Sequence, residues 1–157
     1  MALRRPRGRS PSASGARRRR NGIVRVFGLF AKQPLPGTVK TRLADDIGPV
    51  AAADFCAAGL LDLSQRCASS GDQRLLGYAP ATAAAREFFE ALVGDSYELW
   101  PQPGGDLGDR IEAFFEAALG RGADGRAVLI GSDSPTLPAS LIDDAFVALQ
   151  DHEVVLG

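Results

Sequence analysis

Apolar residues along the chain fall into short, nearly unbroken runs separated by longer stretches at helical spacing. Ile23–Phe30 is short, largely apolar and β-branched at its start, as a central strand buried on both faces would be. Pro34 and Pro36 disfavour helix in the loop that follows. Gly48-Pro49 marks a helix start with proline at the first helical position. From there Val50, Ala53, Ala57, Leu60, Leu61 and Ser64 keep a helical period to about Ala68, where Ser69-Ser70-Gly71 stops it. Arg74–Tyr78 predicts a second strand, and Thr82–Val93 a helix that turns Phe88, Phe89 and Leu92 toward the sheet. Tyr97–Pro101 predicts a short strand. Asp106 caps an amphipathic helix with Leu107, Ile111, Phe114, Ala118 and Leu119 on one side. Ala127–Gly131 predicts a strand, Pro138–Gln150 a helix burying Leu141, Ile142, Ala145 and Leu149, and Val154–Leu156 the beginning of another strand. This alternation predicts an α/β fold, a three-layer sandwich around a mostly parallel sheet.

Ligands of such sheets sit at the carboxyl ends of strands, near a switch point. Two segments leave predicted strands at that end. Residues 30–43 read F-A-K-Q-P-L-P-G-T-V-K-T-R-L. They set Lys32, Lys40 and Arg42, the Thr41 hydroxyl and a Pro36-Gly37 turn where a strand surfaces. Convergent cations and backbone N–H groups freed by a turn neutralise several phosphate oxygens together. Residues 126–137 read R-A-V-L-I-G-S-D-S-P-T-L, and Asp133 is the one carboxylate at that strand exit. A metal held there is hard and oxygen-bound, hence Mg²⁺ or Mn²⁺. The bland readings are an ordinary solvated loop for the cations and Asp-Ser-Pro turn chemistry for Asp133. Asp106 and Asp109 fit a helix cap, and Arg110, one turn into that helix, is a candidate to reach the phosphate loop.

Charge changes the picture at the amino end. The first twenty residues hold eight arginines and no acid, whereas the remainder holds 10 basic and 19 acidic side chains. An acidic body argues against a specific nucleic-acid binder. Residues 1–21 have almost nothing to bury and are expected to be a disordered tail, with 22–157 as the folded domain. A start codon placed too early, a tether to an anionic surface and a targeting peptide are the competing readings of that tail. No segment reaches the ~20 apolar residues of a membrane span, so a soluble, cytoplasmic protein without membrane partners is expected. Cys56 and Cys67 lie about 16 Å apart along one helix, too far for a disulfide.

Several chemistries are excluded. Gly37-Thr38-Val39-Lys40-Thr41 lacks the glycines of a phosphate-binding Walker loop, and Gly104-Gly105-Asp106-Leu107-Gly108 lacks dinucleotide-binding spacing. The single histidine, His152, leaves a serine or cysteine triad without a base. No thiolate–imidazole cluster suits zinc.

The two segments above, together with Q-P-G-G-D-L-G-D-R-I at 102–111, resemble a bacterial family of GT-A-type transferases. Its members are arsenosugar-biosynthesis or selenodomain-associated glycosyltransferases, similar in fold to molybdopterin and phospholactate guanylyltransferases. The resemblance covers about residues 22–157. It implies a nucleotide-diphospho-sugar transferase fold in which Lys32, Gly37, Lys40 and Arg42 line the nucleotide loop and Asp133 stands at the metal position. It also implies transfer of a sugar from a nucleotide sugar to a small-molecule acceptor. Nucleotidyl transfer from a nucleoside triphosphate, or an inactive nucleotide-binding remnant, is the alternative. Two departures stand out: Asp133 is followed by Ser134-Pro135 rather than completing Asp-X-Asp, and the family pattern continues past Gly157 into a strand and an Asp-Gly-Gly-Tyr segment. The chain is therefore expected to be a C-terminally truncated copy, lacking part of its acceptor site and prone to self-association through an unfinished sheet edge.

Overall fold

The computed structural model describes residues 1–5, 23–122 and 125–157. Six strands form one sheet in the order β4-β3-β2-β5-β1-β6. They are β1 (Ala2–Arg4), β2 (Arg25–Lys32), β3 (Gln73–Ala79), β4 (Glu98–Pro101), β5 (Arg126–Gly131) and β6 (Val154–Val155). Strands β2 to β5 are mutually parallel, and β1 runs antiparallel to both β5 and β6. The helices are α1 (Thr41–Ile47), α2 (Pro49–Arg66), α3 (Ala83–Val93), α4 (Leu107–Leu119) and α5 (Ser140–Ala148). The expected α/β architecture with a mostly parallel sheet is what the chain forms.

Strict alternation along β2 divides the core. Phe27, Leu29 and Ala31 face a cluster built with Leu60 and Leu63 of α2, Phe89 of α3, and Ile142 and Phe146 of α5. Val26 and Phe30 face the opposite side, against Phe114, Phe115 and Ala118 of α4. On that second face two glycines make room for rings. A Cβ on Gly28 would overlap the Phe114 ring, and one on Gly77 would overlap Phe30. Phe30 consequently stacks on Trp100 at 6.1 Å and meets Phe114 edge-on at 5.6 Å.

From β2 the chain moves outward to β3 and β4, then returns to place β5 on the other side of β2. The β2/β5 boundary is thus the switch point, where the loops at the strands' carboxyl ends diverge and leave a crevice.

The structure departs from the expectations in several places. The stretch before Gly48 is not all loop: Thr41–Ile47 forms α1, closed by Gly48, whose N–H bonds the Ala44 carbonyl at φ +86°. The tail expectation fails at its start, because Ala2–Arg4 is a strand with Ala2 fully buried; its short Ala-Leu pattern fits a slot that only tertiary structure creates. Residues 6–21 of that expected tail lie outside the described residues. Helix α2 buries Ala53, Leu60 and Ser64 as expected, adds Ala52 and Leu63, and leaves Val50 exposed. In α5, Leu141 is exposed and Phe146 buried. Both cysteines are free thiols. Among the described residues no helix is long and apolar enough to cross a membrane.

Candidate functional site

At the switch point, a cleft of about 460 Å³ opens over the carboxyl ends of β2 and β5. Each wall has a local cause. Beyond β2, Leu35-Pro36-Gly37-Thr38 makes a tight turn: the Thr38 N–H bonds the Leu35 carbonyl at 3.0 Å, and Gly37 adopts φ +77°. Pro then Gly at the central positions is what a type II turn requires. The turn is tied back to its strand by Lys32, whose ammonium donates to the Thr38 carbonyl at 2.9 Å. Lys40 follows, left-handed at φ +47°, ψ +44°, the one non-glycine residue with positive φ among the described residues. A lysine in that conformation costs about 1 kcal/mol or more, strain of a kind that concentrates at functional sites.

The Lys40 ammonium reaches Asp133 Oδ1 at 2.9 Å across 93 residues of sequence. Asp133 stands in the turn after β5, whose first residue, Ser132, donates its N–H to the Phe30 carbonyl at 2.9 Å. The far side of this turn is held from α2, where Arg66 bonds the carbonyls of Pro135, at 2.5 Å, and Leu137, at 3.3 Å. Asp133 remains 91% exposed while Lys40 is only 30% exposed. Such an exposed pair contributes about 0.2–1 kcal/mol, so an incoming anion can draw Lys40 away at little cost.

Lys32, Lys40 and Asp133 are therefore brought together, whereas the other candidates are not cleft-lining residues. Gly37 sets the turn without facing the cleft. Thr41 and Arg42 open α1 and are exposed. Arg110 does not reach the loop that carries Lys32 and Lys40: its guanidinium folds back to the Gly105 carbonyl, at 3.0 and 3.2 Å. There it braces the loop before α4, beside the reciprocal cap of Asp106 and Asp109.

The structure adds residues that the sequence reading passed over. Phe30, Leu129, Ile130 and Ile111 give the cleft an apolar floor, and Gln102 a polar point on it. Gln102 is nearly buried. Its Nε2 donates to the Gly77 carbonyl at 2.7 Å, which fixes the amide plane. Its signal was a polar residue at the carboxyl end of a strand directly before Pro-Gly-Gly. Cys56 also lines the cleft, and burial raises its thiol pKa above the usual value, against the lowering effect of nearby Lys40.

As a metal site the donor set is spare. Among the described residues no three His, Cys, Asp or Glu side chains converge, so no protein cage for a cation is present. Asp133 alone fits a hard divalent ion whose remaining ligands are phosphate oxygens and water, the usual way Mg²⁺ is held beside a nucleotide.

A solved protein from Desulfovibrio desulfuricans G20, provisionally assigned as a nucleotide-diphospho-sugar transferase, matches this structure with a TM-score of 0.76 and 34% sequence identity over 83% of the chain. The fold is thus of the nucleotide-diphospho-sugar transferase type. The chain spans 56% of that protein's length. A family of uncharacterized proteins conserved in bacteria, DUF2064, matches residues 63–157, more than half of the sequence, and the chain belongs to that family. No curated protein matches it.

Proposed function

We propose that the chain binds a nucleoside-diphosphate sugar together with Mg²⁺ or Mn²⁺ and is a glycosyltransferase of GT-A type acting on a small-molecule acceptor. The observation that carries this reading is the meeting of Lys40 with Asp133, beside Lys32, over the β2/β5 switch point. Lys32 and Lys40 offer two ammonium groups to a diphosphate, while Asp133, released from Lys40, offers a carboxylate to the accompanying cation. Gly37 shapes the loop; Arg42, exposed at the start of α1, adds positive charge outside the cleft beside the neutral Thr41 hydroxyl; Arg110 contributes by bracing the opposite loop. The apolar floor and Gln102 suit a nucleoside, which needs flat apolar contact and a few placed polar groups. The divalent ion, when bound, supplies charge neutralisation on the leaving diphosphate. The relative's assignment supports the same class of donor.

Incubation with Mg²⁺ and either a nucleotide sugar or a nucleoside triphosphate tests the reading. Release of nucleoside diphosphate is expected. Release of pyrophosphate would instead assign nucleotidyl transfer, and saturable binding without turnover would assign a nucleotide-binding module.

A further inference from the structure

Strand β1 is anchored far better than its three residues suggest. Ala2, Leu3 and Arg4 pair with Val128, Ala127 and Arg126 of β5, and Ala2 and Leu3 pair with Val155 and Val154 of β6. Three bonds extend the ladder: the Leu129 N–H to the Met1 carbonyl at 2.8 Å, the Arg5 N–H to Gly125 at 3.1 Å, and the Arg4 N–H to Glu153 at 3.1 Å. The Arg4 guanidinium also donates to the His152 carbonyl at 3.1 Å. The two faces of the strand are read separately. Ala2 is 1% exposed in the cluster with Ile142, Phe146 and Leu149 on the α5 side. Leu3 lies on the other face, in a groove with Ile111, Phe115 and Leu119 of α4.

Chain connectivity does not force this placement. Arg5 bonds Gly125 while Val24 accepts from the Arg126 N–H at 3.0 Å, so both ends of residues 6–22 rest on neighbouring residues at the start of β5. A stretch of that length can span on the order of 60 Å when extended. The strand meets the slot through main-chain bonds and alternate side-chain pockets, the contacts used in peptide recognition by strand addition.

We propose that the slot between β5 and β6 is a strand-acceptor site, filled by the chain's own Met1–Arg5 segment as an exchangeable ligand. It accepts an extended peptide antiparallel to β5 with a small residue toward α5, a large apolar residue toward α4 and an arginine next. Because Met1 also lines the cleft that holds Lys32, Lys40 and Asp133, withdrawing the strand opens that cleft on one side. The recognition itself requires no nucleotide.

Amide hydrogen exchange on the full chain tests this. In the native chain the Leu129 N–H is expected to be protected. In an Ala2→Asp variant, which forces a charge into the slot, that protection should drop at least tenfold while the β2 amides stay protected. Adding a peptide of residues 1–9 should restore it, and the same peptide carrying Ala2→Asp should not. Unchanged Leu129 exchange in the variant would overturn the proposal, as would failure of excess native peptide to restore protection. If the variant unfolds entirely, recovery of protection on adding native peptide supports the site and its absence contradicts it. A native chain that is a dimer, exchanging strands between copies, would overturn filling from the same chain.

Discussion

Lys40 unites an uncommon backbone conformation, a half-buried stem and a carboxylate partner from the far side of the switch point. The stability of an exposed ion pair is small, and the strain at φ +47° opposes it, so the pair adds little to folding. Lys40→Met should leave urea-denaturation stability within about 1 kcal/mol of the parent. It should also weaken nucleoside-diphosphate binding about tenfold or more, the loss of one charge-assisted contact. Gly28 behaves oppositely. It does not line the cleft, yet Gly28→Ala pushes a methyl into the Phe114 ring and should cost about 1–3 kcal/mol in the same measurement. Of the candidate residues picked out from charge and turn context, Lys32, Lys40 and Asp133 share one cleft. The place of Arg110 was not legible, because a guanidinium one turn into a helix reaches either forward to a ligand or back to its own loop, and the spacing is the same.

At the scale of elements, local signals worked where capping and periodicity agreed. Asp106 caps α4 through its side chain as expected, with Asp109 completing the cap, and Thr82, expected inside α3, instead caps it from outside. Asp106→Ala should lower stability by about 1 kcal/mol, seen as a reduced denaturation midpoint. Helix α1 was missed although Gly48 marks its end, because the prolines before it favoured reading the whole segment as loop. Strand β1 was illegible for a different reason. Three residues carry no periodicity, and their partners Ala127, Val128 and Val155 exist only after β5 and β6 have formed. The face of α2 was legible only in part: Ala53, Leu60 and Ser64 are buried as expected, but its many alanines blur the edges of the stripe, so Ala52 and Leu63 were passed over and Val50 was wrongly included.

At the scale of the whole molecule, two ion pairs tie distant parts of the sheet layer together. Arg25 at the start of β2 holds Asp72 before β3, and Arg121 after α4 holds Glu98 of β4. Each guanidinium lowers its partner's pKa below the ordinary 3.8 for Asp72 and 4.5 for Glu98. A depressed carboxylate pKa contributes stability that is present above the unfolded value and vanishes as pH falls through the folded one. Thermal stability should therefore hold above about pH 4.5 and decline as pH falls further, first from Glu98 and then, below 3.8, from Asp72, with only a modest step because both carboxylates are substantially exposed. The layer architecture was the most legible feature: strand–helix alternation implied a mostly parallel sheet, and both marked segments leave it at the carboxyl ends of β2 and β5, where the cleft lies.

Calorimetric titration with a nucleoside diphosphate in Mg²⁺, run on the parent chain and on Asp133→Asn, tests the central assignment most directly. Saturable one-to-one binding that depends on Mg²⁺ in the parent, and loses that dependence in the variant, is predicted. The absence of saturable heat for any nucleoside diphosphate, or an Mg²⁺ dependence unchanged by Asp133→Asn, would contradict it.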